Sequence, residues 1–394
     1  MNILFHTLYQ PLSTKGGTEH ITNKIAESLK KDFGYTCYSS YTNPLEEKGD
    51  CFENEFVLDL ASPHLSEAIR NIINENHIER VIVQTAFEMI PFFRNAIRET
   101  ENCKLVFVHH FSPGWECDVL HFGVLAEKFK DASGWHKLYE FARMLGYPVI
   151  KYRRDQYVKG LYRQAWAQAN QIVLLSQRYV DGFMKIVQTQ DKTKFAWIPN
   201  ALTFDGFADE NILKNKKKTV LMVSRLDERQ KRIKLALKIW KRICNSPISE
   251  GWELKIVGDG DISNVDEYRA YAQNESVRNV TFFGRTVSKP YFEEASIFMM
   301  TSLSEGFPLT LNEAHQYGAV PLAFDTFVSL HDMIEDGYDG YIIQENDINN
   351  YVSRMHSLMK NNLERNKMAR NGIESCKRYL PQNVIKSWDA LLKH

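Results

Sequence analysis

Short continuous runs of apolar residues alternate along this chain with amphipathic stretches. In the first half the runs are Ile3–Thr7, Val81–Gln84, Leu105–His109 and Gln171–Leu175. In the second they are Val220–Ser224, Leu254–Gly258, Val280–Phe283, Ile297–Thr301 and Val320–Phe324. Runs of this length, with helical periodicity between most of them, predict parallel strands covered by helices on both faces. The predicted class is α/β, with two doubly wound Rossmann-like domains facing a cleft. The pattern restarts after Pro199-Asn200: residues 201–218 are polar and loop-like, and a fresh strand is expected from Val220. The expected domains are therefore 1–200 and 201–379. Residues 380–394 carry Val384, Ile385, Trp388, Leu391 and Leu392 at helical spacing, which predicts a closing helix that packs back on the first domain.

Length and charge narrow the classes. At 394 residues the chain has room for two domains. Its 49 basic and 49 acidic residues cancel, which argues against holding nucleic acid by bulk charge. No apolar run approaches the ~18 residues a membrane span needs, and the start, Met1-Asn2-Ile3-Leu4-Phe5, has no signal-peptide pattern. The six cysteines, at 37, 51, 103, 117, 244 and 376, form no Cys-x-x-Cys and no metal knuckle. Reduced thiols and a cytoplasmic location are expected.

Ligands of open parallel sheets sit beyond the carboxyl ends of the strands, and the chemistry-bearing residues of this chain follow those ends. Gly16-Gly17-Thr18-Glu19 follows the first strand, with Thr18 a suitable N-cap before Ile21, Ile25 and Leu29. The paired glycines suit close backbone approach to an anion, or a plain tight turn. Ser224-Arg225-Leu226-Asp227, with Lys231-Arg232 nearby, offers cations suited to a diphosphate, or a solvated charged loop. The segment Ser304-Glu305-Gly306-Phe307-Pro308-Leu309-Thr310-Leu311-Asn312-Glu313 is the most informative. Pro308 suits the first turn of a helix and Gly318 its end, so Glu305 falls in a loop and Glu313 one to two turns into the helix. The N–H groups near Leu309 and Thr310 would favour an anion, while the two carboxylates suit hydroxyl groups, one on a sugar and one on a ribose.

Three further strand ends belong to the same set. Val257-Gly258-Asp259-Gly260-Asp261 fails as a dinucleotide fingerprint, because Ser263 holds the third glycine position; a glycine turn lining the cleft is expected. Asp259 and Asp261 have the spacing of a divalent-cation pair, but the glycine-rich turn fits a wall better, and no metal is expected. Phe283-Gly284-Arg285-Thr286 has a backbone suited to framing a base. In Phe107-Val108-His109-His110-Phe111-Ser112-Pro113, either histidine stands where it would meet a sugar hydroxyl.

Taken together these residues resemble glycosyltransferase family 4, the retaining transferases of the GT-B fold. Gly16-Gly17, His110 with Pro113, Ile198-Pro199-Asn200, Arg225 with Lys231, Val257-Gly258-Asp259-Gly260, Gly284 and the glutamate pair stand in the family's order, over nearly the whole chain. The resemblance implies a donor sugar contacted by Glu305, ribose hydroxyls held by Glu313, a diphosphate held by Arg225 and Lys231, and His110 near the sugar. Gly16, Gly17, Gly258, Gly284, Arg285, Phe307, Pro308, Leu309 and Thr310 complete the implied donor site. It implies transfer with retention, without metal, from a nucleoside diphosphate sugar, often UDP-linked, to a glycan or lipid-linked glycan of cell-surface polysaccharide. Two departures stand out. The family's Pro-Asn-Gly is Pro199-Asn200-Ala201 here, and Lys231 lies one residue beyond the usual spacing, which leaves Lys231 and Arg232 both open. A non-catalytic nucleotide-sugar-binding subunit and an epimerase are the other classes carried.

Residues 128–163 hold nine basic residues against three acidic ones, in a chain that is neutral overall. Trp135, Leu138, Tyr139, Phe141, Met144, Leu145, Tyr147, Tyr152 and Tyr157 are interleaved with them. The segment reads either as a helical pair with its apolar side packed into the first domain, or as a surface for an anionic leaflet on the inner face of the membrane.

Overall fold

The computed structural model describes residues 1–12, 17–45, 51–98, 100, 102–118, 122–258, 260 and 262–393. The chain divides into two compact units, Met1–Ile198 with the chain from Ile385 onward, and Pro199–Val384.

The first unit is built on a seven-stranded parallel sheet: β1 (Asn2–Tyr9), β2 (Thr36–Asn43), β3 (Glu55–Val57), β4 (Arg80–Gln84), β5 (Lys104–His109), β6 (Gln171–Leu174) and β7 (Phe195–Trp197). Its strand order is β3-β2-β1-β4-β5-β6-β7. The second unit has six parallel strands: β8 (Lys217–Val223), β9 (Glu253–Val257), β10 (Val280–Phe283), β11 (Ala295–Met300), β12 (Val320–Asp325) and β13 (Tyr341–Gln344), in the order β10-β9-β8-β11-β12-β13. In both sheets the order reverses beside the first strand of the unit, as in doubly wound folds. The expected class, α/β with two such sheets, is what the chain forms.

Six helices matter below: α1 (Gly17–Phe33), α2 (Phe122–Asp131), α3 (Gly134–Leu145), α4 (Tyr147–Gln168), α5 (Leu309–Gln316) and α6 (Pro381–Lys393). The distal half of α6 belongs to the first unit. There Tyr35 Oη donates to Asp389 Oδ1 at 2.5 Å and Arg80 Nε to the Leu392 carbonyl at 2.8 Å, and Trp388 and Leu392 are buried.

Four observations correct the strand and cap expectations. β2, β3, β7 and β13 have no counterpart among the apolar runs. β2 reads Thr-Cys-Tyr-Ser-Ser-Tyr-Thr-Asn, and its buried Ser40 is satisfied by His6 Nδ1 at 3.1 Å rather than by an apolar neighbour. Residues 201–218 are not all loop: Asp209 caps a short helix, Glu210–Lys214, and β8 begins at Lys217, whose ammonium pairs with Glu294. Thr18 lies inside α1 instead of capping it. Pro308 is the N-cap of α5 rather than its first turn, with ψ at 118°, while Gly318 follows the helix with φ at +68°.

Candidate functional site

The second unit gathers its polar residues at the carboxyl ends of β8 and β11, which are neighbours in the sheet. Beyond β8 the chain runs through Arg225 to Asp227, whose carboxylate accepts from the N–H groups of Arg229 and Gln230 and so caps a single turn, Glu228–Lys231. Arg232 then takes a left-handed conformation, φ +53°, before helix Ile233–Ile243. That reversal sends the two adjacent cations to different partners. Arg232 donates from Nε to the Thr301 carbonyl at 2.5 Å and from Nη1 to Glu345 at 3.1 Å, which ties it to the end of β11. Lys231 instead donates to Glu305 Oε1 at 2.5 Å, with only 15% of its side chain and 9% of the glutamate's exposed. Of the two, Lys231 is the cation that shares the glutamate loop.

Gln230, which the sequence reading passed over, organises this corner. Its Oε1 accepts from Arg225 Nη2 at 3.0 Å, its Nε2 donates to the Ser304 carbonyl at 3.0 Å, and its own carbonyl accepts from the Leu303 N–H at 2.7 Å. A lone glutamine next to two cations carries no periodicity or motif by which to find it. Further on, Ser329 Oγ donates to the Gly306 carbonyl at 2.6 Å and Asn200 Nδ2 to the Phe307 carbonyl at 3.0 Å. Phe307 packs edge-on against Tyr379, with ring centroids 5.2 Å apart. The loop bearing Glu305 is thus held through four backbone positions, the Leu303 N–H and the carbonyls of Ser304, Gly306 and Phe307, and it delivers the chain to Pro308 and α5. Within α5 the first N–H groups have no intrahelical partner by geometry, and Leu309 and Thr310 are partly exposed there.

Glu313, just over one turn into α5, is buried and accepts from Thr203 Oγ1 at 2.6 Å. Burial pushes its carboxyl up to about 7, against which the Thr203 hydrogen bond acts. Its neighbour Asn312 is also buried, and neither polar atom of its side chain has a partner within the described structure.

Gly258 has a structural reason to be glycine. Its N–H donates to the Phe283 carbonyl at 3.3 Å, and a Cβ there would lie 1.7 Å from the Ser224 carbonyl oxygen. The turn therefore lets the end of β9 pass against the exit of β8. Gly284 faces open space where a Cβ would stand, and Arg285 beside it is exposed. Gly16, Asp259 and Asp261 lie outside the described residues. Gly17 is the first residue of α1 and is exposed.

On the first unit the two histidines at the end of β5 part company, as successive strand side chains do. His109 is fully buried among Phe87, Phe107, Phe183 and Tyr162. Its Nε2 and the Tyr162 hydroxyl are 3.0 Å apart, and that hydroxyl donates to Glu116 at 2.6 Å. His110 lies with its Nε2 2.5 Å from Gln84 Oε1, which makes that nitrogen the protonated one. Burial, then the neighbouring His109, lowers its basicity to about 3, so the ring is neutral at physiological pH.

Among the described residues no group of three His, Cys, Asp or Glu side chains is placed to hold a metal, and all six cysteines are free thiols. No helix of the described chain is long and apolar enough to cross a membrane.

Residues 205–375 match the family model for glycosyl transferases group 1. That segment lies within the second unit and contains Arg225, Lys231, Glu305 and Glu313. The chain is 28% identical over 185 residues to the amylovoran biosynthesis glycosyltransferase AmsD of Erwinia amylovora, covering 46% of this chain and 50% of that protein. It is 27% identical over 176 residues to the UDP-Gal:alpha-D-GlcNAc-diphosphoundecaprenol alpha-1,3-galactosyltransferase of Escherichia coli, covering 42% and 45%. The matches thus span about half the length of these relatives. Among solved structures, HepE of Anabaena in complex with UDP-glucose superposes with a TM-score of 0.71 at 13% identity, covering all of both chains. That likeness is one of fold: two parallel-sheet Rossmann-like units, the GT-B architecture.

Proposed function

We propose that the chain is a retaining glycosyltransferase. It moves a sugar from a nucleoside diphosphate donor, UDP-linked by preference, to a glycan or lipid-linked glycan in cell-surface polysaccharide synthesis, with no metal in the chemical step. The observation that carries this reading is the buried Lys231–Glu305 pair beyond the carboxyl ends of β8 and β11, with Glu305 in the loop that opens α5 and leads on to Glu313. A lysine and a glutamate that neutralise each other in the free protein are a matched set for a substrate bearing both a diphosphate and hydroxyls. Lys231 turns to phosphate oxygens, Glu305 accepts from a sugar hydroxyl, and neither charge is left unpaired in a dry site.

Arg225, exposed and steadied by Gln230, adds a fork for the diphosphate. The leading N–H groups of α5 add a fixed dipole. Glu313 accepts from the ribose hydroxyls. In the reaction the bond from the anomeric carbon to the phosphate oxygen breaks and one to the acceptor oxygen forms on the same face. The acceptor proton passes to the departing diphosphate, whose growing charge Arg225, Lys231 and the helix terminus offset. The reading extends to the first unit as the acceptor unit, where neutral His110 is a hydrogen-bonding group positioned by Gln84. The relatives' names, a polysaccharide-biosynthesis transferase and a UDP-galactose-dependent one, support the donor and acceptor classes.

The test is release of nucleoside diphosphate from UDP-sugars by the purified chain, with a glycan acceptor present and EDTA added. Acceptor-dependent release that survives the chelator is expected. Binding without release would make the chain a donor-binding subunit. Conversion of the donor sugar with no acceptor would make it an epimerase.

A further inference from the structure

We propose that α3 and the first half of α4 form a docking surface for an anionic lipid bilayer. The proposal is independent of the donor site and rests on an inversion in α3. Trp135, Leu138, Tyr139, Ala142 and Leu145 recur at the spacing of one helix face, and such a stripe ordinarily faces a core. Here all five are exposed, Trp135 at 87% and Leu145 at 71%, while the buried residue of the helix is Glu140 at 4%. In α3, therefore, the apolar stripe does not pack into the first unit, which is one of the two readings of this segment; only α4 packs in that way.

The start of α4 continues the surface. Val149, Tyr152 and Tyr157 are exposed along it, whereas Val158, Tyr162 and Ala165 bury its other side in the core. Trp and Tyr suit the headgroup level of a bilayer, where one end of the ring is apolar and the other wet.

Charge selects the occupant. Two of the segment's three acids are spent internally, Glu140 on Arg143 at 2.9 Å and Asp155 on Lys151 at 2.6 Å. Lys137, Arg153 and Arg163 stand exposed. A second copy of this chain, docked about a two-fold axis, would set this cationic face against itself, and protein interfaces deplete charge at their centre. Anionic headgroups complement it, with the aromatic and aliphatic side chains entering the boundary and the cations at phosphate level. Among the described residues no helix is long and apolar enough to cross a membrane, and the proposed association is a peripheral one that weakens with salt.

Flotation of the full chain with phosphatidylglycerol–phosphatidylethanolamine vesicles, beside pure phosphatidylcholine vesicles, at low and high salt, tests this. The chain is expected to float with the anionic vesicles at low salt and to be released at high salt. Each cation near the surface contributes about fivefold (~1 kcal/mol), so Lys137→Gln with Arg153→Gln should cut partitioning about 25-fold. Trp135→Ser with Leu145→Ser should abolish it. Thermal unfolding midpoints and UDP binding equal to the parent's show that these variants are folded, and they separate a failure of this surface from a failure of the transferase reading. No flotation with anionic vesicles at low salt would overturn the proposal, as would equal binding to phosphatidylcholine. A dimer that dissociates in the Trp135→Ser, Leu145→Ser variant, with no vesicle binding, would also overturn it and assign the face to a second copy.

Discussion

Glu313 shows how burial gives one side chain two measurable consequences. Its carboxyl titrates near 4.5 in an unfolded chain and near 7 in the folded one. Between those values the folded state holds more protons, so stability is highest at the acid end, falls as pH rises through the window and levels off above it. Glu313→Gln removes that slope. Thermal unfolding at pH 5 and pH 7.5 should show the variant gaining on the parent as pH rises, by an amount of the order of ~1.4 kcal/mol for each unit of the shift. The cations divide in a different way. Arg225 is largely exposed and bonded to Gln230, so Arg225→Ala is predicted to leave the unfolding midpoint near the parent's and to lower kcat about 10²–10³-fold. Lys231 is buried against Glu305, and Lys231→Ala removes the cation that faces this buried carboxylate. Loss of about 3–5 kcal/mol of stability is expected alongside the loss of turnover. Parallel melting curves and steady-state kinetics of the two variants check both statements.

At the scale of elements, the end of β9 is the least forgiving point of the site. Any side chain at 258 puts its Cβ against the Ser224 backbone carbonyl, and neither strand end moves without its sheet partners. Gly258→Ala should destabilise the second unit by several kcal/mol and disturb Arg225 through Ser224, read as a lower unfolding midpoint together with weaker nucleotide binding. The same element shows what the sequence could carry. A glycine at a strand end announces a turn, but whether it makes room for a ligand or for Ser224 is set by a contact 34 positions away. The apolar runs that became β1, β4, β5, β6, β8, β9, β10, β11 and β12 were legible because strands of a parallel sheet covered by helices carry short, nearly continuous apolar runs. β2 was not legible, because its interior residues Ser39 and Ser40 are polar, and Ser40 is satisfied by a distant His6. The glutamate loop was legible from its spacing around Pro308. Gln230 was not, since its importance lies in three hydrogen bonds to residues that only the fold brings near.

The chain as a whole returns to its beginning. α6 begins in the second unit and ends in the first, with Trp388 and Leu392 buried and Asp389 bonded to Tyr35. Trp388→Ala is predicted to cost the first unit about 3–5 kcal/mol through the cavity it leaves, measured as a fall in its unfolding transition, while Arg225, Lys231, Glu305 and Glu313 of the second unit are untouched. The whole-molecule account then rests on the second unit holding a nucleoside diphosphate sugar through Glu313 and Glu305 in distinct roles. Calorimetric titration of the intact chain with UDP and with a UDP-sugar, in EDTA, tests this most directly. The account predicts saturable binding without metal, UDP weakened by Glu313→Ala, and Glu305→Ala removing the sugar's added affinity while sparing free UDP. If both variants bind UDP and the UDP-sugar as the parent does, the assignment of the glutamate pair is contradicted, and with it the donor site.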